Sequence, residues 1–424
     1  MSPLPVEPTT QAPGISLKKK IVFSLISWVF LMFVLACIGE VFLRVAPMGK
    51  FQSSPFRQYD PNIGIALVPD KTIHHNKGCF KGLVETNSFG MRDRARSLDK
   101  PAGEFRIAML GDSVIEGVHV QPDEVVNIQL EKILRAKGYN AEVLNFGVEG
   151  IGTTQELLIY EEKVRQFHPD LVLLTFTSND VMNNSSIIQP EVYGIQTWHA
   201  PYYDLGPEGN LIFRPVEKRW FNRPRTWLEN HSVLLYYLER IWFSIDYAPT
   251  KWDGIPVFYG SYGDPLSPDW TKAWQVTDKV MGLTKKTVEA DGAKFMAVTW
   301  ADFWEVDPNW RPRLEKEIGT KLPPEFNPPK ARERLEDIYR RNGITYDFLT
   351  SYMQSYRDQH HLQWPYFSFT CNPHYSALGH AVVAQGIFEK LQQHGMLPPL
   401  AGGATPWTPL SNPGKGTIDS KERS

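Results

Sequence analysis

Five short β-rich runs alternate with helical patterns along the middle of this chain. They are residues 105–110 (FRIAML), 142–146 (EVLNF), 171–176 (LVLLTF), 294–300 (KFMAVTW) and 344–348 (ITYDF). The helical patterns cover residues 123–137, 271–290, 330–341 and 377–391. In the first of these, Asp123 is placed to cap, Val126, Leu130, Ile133 and Leu134 recur at helical spacing, and Gly138 is placed to stop. Strand-then-helix repetition predicts an α/β fold with a parallel sheet covered by helices on both faces.

Such a sheet gathers its reactive groups at the carboxyl ends of its strands, so the residues that close each run matter most. The first run ends in Gly111-Asp112-Ser113-Val114-Ile115-Glu116-Gly117, which puts a serine just past a buried strand. Gly-Asp-Ser alone is a weak signal, because many strands end in a turn or cap of those residues. The second run continues into Asn145-Phe146-Gly147-Val148-Glu149-Gly150-Ile151-Gly152-Thr153, where glycine lets backbone N–H groups approach a substrate oxygen. The third ends in Thr177-Ser178-Asn179-Asp180, an amide donor at the same edge. Near the end of the chain, Asn372-Pro373-His374 precedes the last helix. A nucleophile needs a base, and an oxyanion needs fixed donors. This fold can bring all four points together.

Over residues 85–395 the chain resembles the SGNH (GDSL-like) hydrolase family, and within it a bacterial membrane-anchored branch. The serine block matches GDSVIEG, the glycine block NFGVEGIGTT, the Gly-x-Asn-Asp block TSND and the histidine block NPHYSALGH. The resemblance implies a flavodoxin-like three-layer α/β/α fold with a five-stranded parallel sheet. It also implies Ser113 as nucleophile, His374 as base, and Ser113, Gly150 and Asn179 as the oxyanion hole. Thr177 replaces the glycine of the third block. The family's usual acid, in Asp-x-His, is Asn372 here, and under Asp-x-x-His spacing the position falls on Cys371. Asparagine can accept a hydrogen bond from imidazole but cannot neutralise imidazolium. The corresponding change in serine proteases costs about 10⁴ in turnover, much of it through the wrong tautomer. The triad is therefore read as a Ser–His dyad assisted by Asn372.

Residues 21–39 (IVFSLISWVFLMFVLACIG) carry no charge, and the apolar character resumes after Glu40 with VFL. The run is apolar on every face and predicts a transmembrane helix over 21–43. Lys18, Lys19 and Lys20 against its N-terminal edge favour a cytoplasmic N-terminus, with the body on the periplasmic or extracellular side of the inner membrane. Val34-Leu35-Ala36-Cys37 also loosely resembles a lipobox, although apolar residues continue past Cys37. The expected plan is a disordered tail (1–20), the membrane helix, a lead-in segment (44–104), the hydrolase-like domain (105–397) and a flexible tail (398–424). An aromatic- and proline-rich, weakly periodic insertion spans about 181–270. Its Trp198, Trp220, Trp227, Trp242, Trp252 and Trp270 can wall a sugar or acyl subsite, or pack a small core of their own.

A net charge of −2 gives no general attraction to nucleic acid. Neither CxxC nor Cys/His metal spacing occurs, and no cofactor or metal is expected. Cys79 and Cys371 can pair in an oxidising compartment, where a bridge so close to His374 would clamp its loop, or they can remain separate thiols. Three functions fit: an esterase or deacylase acting on O-acetyl groups of an envelope glycan, an acyltransferase using the same acyl-enzyme, and a membrane-anchored scaffold.

Overall fold

The computed structural model describes residues 16–45, 56–193, 200–218, 220–246, 251–252 and 255–400. The expected tails (1–20 and 398–424) lie outside them at residues 1–15 and 401–424, as does Trp198, and residues 17–20 of the first tail are part of a helix. The apolar run forms α1 (Leu17–Val45), which has no buried residue and is long and apolar enough to cross a membrane. Two antiparallel hairpins follow, β1 (Arg57–Asp60) with β2 (Gly64–Leu67), and β3 (Thr72–Lys77) with β4 (Phe80–Glu85). Strand β5 (Phe105–Gly111) leads into α2 (Ser113–Glu116) and α3 (Val126–Ala136), and β6 (Ala141–Gly147) into α4 (Thr153–Glu162). Next, β7 (Leu171–Phe176) leads into α5 (Asn179–Asn183) and α6 (Ile188–Tyr193).

The next stretch carries the hairpin of β8 (Tyr202–Leu205) and β9 (Leu211–Arg214), the helices α7 (Asn222–His231) and α8 (Val233–Asp246), and the short pair β10 (Lys251–Trp252) and β11 (Ile255–Pro256). Helix α9 (Pro268–Ala290) then returns to the sheet at β12 (Lys294–Thr299). Helices α10 (Phe303–Val306), α11 (Trp310–Ile318) and α12 (Pro328–Arg341) precede β13 (Thr345–Phe348). The described chain ends with α13 (Thr350–Gln359), β14 (Ser368–Phe369), β15 (Asn372–Tyr375) and α14 (Ala377–Gln393).

The five central strands are parallel and ordered β6-β5-β7-β12-β13. This is the flavodoxin-like order, with its switch point beside the first sheet strand, β5. Side chains alternate across the sheet. Ala108, Leu110, Leu144, Val172 and Ala297 pack toward α4, α9 and α12, whose Ile159, Met281 and Tyr339 meet them. Ile107, Met109, Val143, Leu173 and Val298 pack the other way, toward Leu130 of α3, Met353 of α13 and Ile387 of α14. The three-layer α/β/α fold implied by the resemblance is the fold observed.

One helix start differs from expectation. Asp123 lies inside a 3-10 turn (Pro122–Glu124), and α3 begins only at Val126. Pro122 suits a first helical position, and the Glu124 carboxylate takes the Gln121 N–H at 2.9 Å, which closes that turn as a separate unit. In the weakly periodic stretch, Tyr203, Leu205 and Leu211 of the β8–β9 hairpin pack on Leu157 of α4 and on Val276 and Val280 of α9. That hairpin shares its apolar contacts with the main body.

Candidate active site

Ser113 begins α2 directly after β5 and is buried. Asp112 caps the helix, its Oδ1 accepting the Val114 N–H at 3.0 Å. Its Oδ2 accepts the Thr177 hydroxyl at 3.0 Å and the Asn179 side-chain amide at 2.7 Å, which ties the end of β5 to the end of β7. Asn179 therefore spends one of its two N–H groups on Asp112. The helix can sit this low because Gly147 lies beneath it. A Cβ at Gly147 would fall 2.2 Å from the Glu116 nitrogen. Gly150 adopts a φ of +79°, which glycine takes without steric cost, and its carbonyl accepts the Gln189 side-chain amide at 3.0 Å. Thus the carboxyl ends of β5, β6 and β7 bring Ser113, Gly150 and Asn179 to one edge.

His374 reaches that edge from β15. Its Nε2 lies 2.8 Å from Ser113 Oγ, and its Nδ1 lies 2.6 Å from Asn372 Oδ1. The same Asn372 oxygen accepts the His374 backbone N–H at 2.9 Å. A backbone N–H can only donate, so the atom facing it must be the amide oxygen, and the Asn372 flip is fixed. An oxygen 2.6 Å from Nδ1 then requires Nδ1 to carry the proton. Nε2 is left with its lone pair toward the serine hydroxyl. Asparagine at this place thus sets the same tautomer a carboxylate would.

The histidine is also held from a side the strand ends do not supply. His119 stacks on the His374 ring, with centroids 4.0 Å apart and planes 17° from parallel. Burial pushes His119 down to about 2, and the adjacent His374 adds to the shift, so His119 is neutral. Phe80 of β4 meets His119 edge-on at 4.7 Å and lies 5.4 Å from Phe369 of β14. At the tip of the same β3–β4 hairpin, Cys79 forms a disulfide with Cys371, three residues before His374. Of the two possibilities for these cysteines, the paired one is observed.

A second brace comes from the first hairpin. Arg57 of β1 donates to both carboxylate oxygens of buried Glu116 at 2.8 Å and pairs with Glu149 at 2.6 Å. Glu116 in turn accepts the Glu149 backbone N–H, one residue before Gly150. Behind the edge, Asp180 and Glu156 are fully buried and their carboxyl groups are pushed well up by desolvation. Glu156 and Asp112 raise Asp180 further, and Asp112 does the same to Glu156. Sequence reasoning did not single out Asp112, His119, Arg57 or Glu116. The signal for Asp112 was present in Gly-Asp-Ser itself. The other three act through contacts between distant segments that no local pattern displays. Among the described residues, no cluster of three or more His, Cys, Asp or Glu is placed to hold a metal.

Fold and site geometry together define an α/β protein with a serine–histidine pair at the carboxyl edge of its sheet. Residues 107–197, from β5 into the stretch after β7, match the GDSL-like lipase/acylhydrolase family. Among solved structures, it is similar to the acetyl xylan esterase AlAXEase at 12% identity and a TM-score of 0.36, covering 67% of this chain and 98% of that one. A lipase/acylhydrolase from Enterococcus faecalis gives 12% identity and 0.35, covering 68% and 96%. A catalytic mutant of Axe2, an acetylxylan esterase from Geobacillus stearothermophilus, gives 11% and 0.34, covering 68% and 94%. No curated protein matches the chain.

Proposed function

We propose that this protein is a membrane-anchored serine esterase that removes acyl groups, O-acetyl groups of an envelope or exported glycan in particular, on the outer side of a bacterial cytoplasmic membrane. The observation that carries the reading is the continuous line Ser113 Oγ–His374 Nε2 and His374 Nδ1–Asn372 Oδ1, at 2.8 and 2.6 Å, with the tautomer set by the His374 backbone N–H.

In the proposed reaction Ser113 Oγ attacks the ester carbonyl carbon while His374 Nε2 takes the hydroxyl proton. The carbonyl oxygen becomes an oxyanion facing the Ser113 and Gly150 backbone N–H groups and the second N–H of Asn179. Collapse breaks the bond to the alcohol oxygen, which leaves with the proton from His374. Water then attacks the acyl-serine, gives its proton to His374, and the acid departs as the serine hydroxyl re-forms. Membrane attachment is supported by α1, and an exported body by Lys18–Lys20 before it and by the disulfide, a bond of oxidising compartments.

Labelling of the full chain with a fluorophosphonate serine probe tests this reading. The native chain should label, and Ser113→Ala and His374→Ala should not. Folded native protein that stays unlabelled would leave the scaffold reading in its place. Product analysis with an acetylated oligosaccharide, with and without an acceptor glycan, separates hydrolysis from transfer. Free acetate in both samples supports the esterase.

A further inference from the structure

Glu40 interrupts the apolar run of α1, and the structure gives it an unusual task. Its carboxylate accepts the Val233 N–H at 3.1 Å, the Leu234 N–H at 2.9 Å and the Ser232 hydroxyl at 2.8 Å, all at the start of α8. One turn further along α1, Arg44 pairs with Glu40 at 2.6 Å and donates to the His231 carbonyl at 2.7 Å, at the end of α7. The N-terminus of one helix thus meets a carboxylate, and the C-terminus of the other meets a guanidinium. Each charge matches the dipole and the orphan backbone groups of the end it meets. Leu234 packs on α1 beside Gly39, with Leu234 Cδ2 3.5 Å from where a Cβ would stand, an ordinary contact distance. The corner between α7 and α8 is therefore fixed to α1 at residues 39–44.

That height has a meaning if α1 spans a bilayer. From Lys20 to Glu40 the helix rises about 30 Å, the thickness of the hydrocarbon layer. The corner then sits where α1 leaves the lipid. The two helices that meet at this corner expose Trp227 (59%), Leu228 (45%), Leu235 (39%) and Leu238 (51%). Val41 and Phe42 of α1, next to the Glu40 that holds α8, are exposed as well.

We propose that α7 and α8 form a second membrane contact, an apolar helix pair seated in the lipid headgroup region beside the exit of α1. The inference rests on the reading of α1 as a membrane span. Lipid is the occupant because the patch adjoins a helix whose exposed apolar faces the bilayer already covers, and a tryptophan with leucines at the interface is the composition of a surface-seated helix. Helix α7 also packs on β1, and β1 carries the Arg57 that braces Glu116 and Glu149. The pair thereby fixes the distance and tilt of the Ser113 edge relative to the membrane.

The test places an environment-sensitive fluorophore at single cysteines of the full chain in phosphatidylcholine–phosphatidylglycerol vesicles, with or without brominated lipids. Cys79 and Cys371 are joined, so the native chain labels at Cys37 within α1. Leu238→Cys, Trp227→Cys and Lys316→Cys, each with Cys37→Ser, report on α8, α7 and the exposed face of α11. Quenching at Cys37, at least half as much at positions 238 and 227, and none at 316 is the expected result. Quenching at Cys37 but at neither 238 nor 227 would overturn the second contact and leave the anchor standing. No quenching at any position would overturn both readings. Unquenched labels at 238 and 227 together with a dimer in sedimentation would assign the patch to a second copy of the chain instead.

Discussion

Ser113, Gly150 and Asn179 follow the carboxyl ends of three adjacent strands of the central sheet, whereas His374 and Asn372 stand on β15, a four-residue strand paired, among the described residues, with the two residues of β14. The serine half is held mainly from within, with Arg57 of β1 bracing Glu116 and Glu149 from the first hairpin. Gly147 admits α2 against the sheet, Asp112 ties β5 to β7, and the surrounding side chains are buried. The histidine half is held from outside, by the Cys79–Cys371 bridge, by His119 stacked on the ring, and by the Ser376 cap that starts α14. The difference teaches that one half of the site follows from folding the core. The other depends on a separate hairpin, β3–β4, being fastened to it.

The largest effect belongs to the chemistry of the serine half. Ser113→Ala should lower turnover by about 10⁴ or more while leaving the thermal midpoint nearly unchanged, because only the hydroxyl contact to His374 is lost. Ester-hydrolysis rates and a melting curve on the same preparation check both parts. A large drop in melting temperature would break the claim that the packed core and the Arg57 brace, rather than the Ser113 hydroxyl, hold this half.

Next comes the fastening of the histidine half. The bridge closes a separation of 292 residues, which in the chain-entropy limit contributes about 6 kcal/mol. Cys79→Ser with Cys371→Ser should lower stability by up to that amount. It should also release amide protection over β14 and β15 before β5 to β7 lose theirs. Hydrogen exchange resolves the two regions, and simultaneous loss in both would show that the halves are not held separately.

The same division explains what the sequence displayed. Strand-end motifs follow from local order, so the sheet, Ser113, Gly150, Asn179 and the Asn372-Pro373-His374 segment were all legible. His119 carries no local mark of its role, because its partner lies 255 residues away along the chain. Arg57 and the β3–β4 hairpin lie in a segment that read only as a lead-in, and their significance comes from what they touch. Helices α7 and α8 were obscured because Leu234 turns to α1 while Trp227, Leu228, Leu235 and Leu238 are exposed, which blurs a single-stripe period.

Asn372→Asp sharpens the comparison by changing charge without changing shape. With asparagine the tautomer is already set, so the loss relative to a carboxylate is smaller than the 10⁴ seen where the tautomer is wrong. Restoring the carboxylate should raise kcat about 10- to 100-fold. A carboxylate holds the imidazolium proton to higher pH, so the acidic limb of the kcat/KM profile should move to higher pH as well. Asn372→Ala should lower kcat. A rate unmoved by Asp would mean that another group already compensates the imidazolium.

The smallest effect concerns His119, which is faced by His374, His75, His380 and Glu149 and is held down to about 2 by burial first and His374 second. Unfolded, a histidine takes up a proton near pH 6.5. Between pH 6.5 and about 2 the unfolded state therefore binds one proton more at this position, and stability is lost as pH falls through that window. His380, pushed down to about 3 by burial and by Arg92, works in the same direction. His119→Phe keeps a ring on His374 and removes the titrating group. Between pH 7 and pH 5 the variant should lose up to about 2 kcal/mol less stability than the native chain. Denaturant unfolding at the two pH values measures the difference, and equal losses would mean that His119 is not kept neutral in the fold. Activity near pH 8 should survive in His119→Phe and fall in His119→Ala, because the phenyl ring preserves the stacking surface and alanine does not.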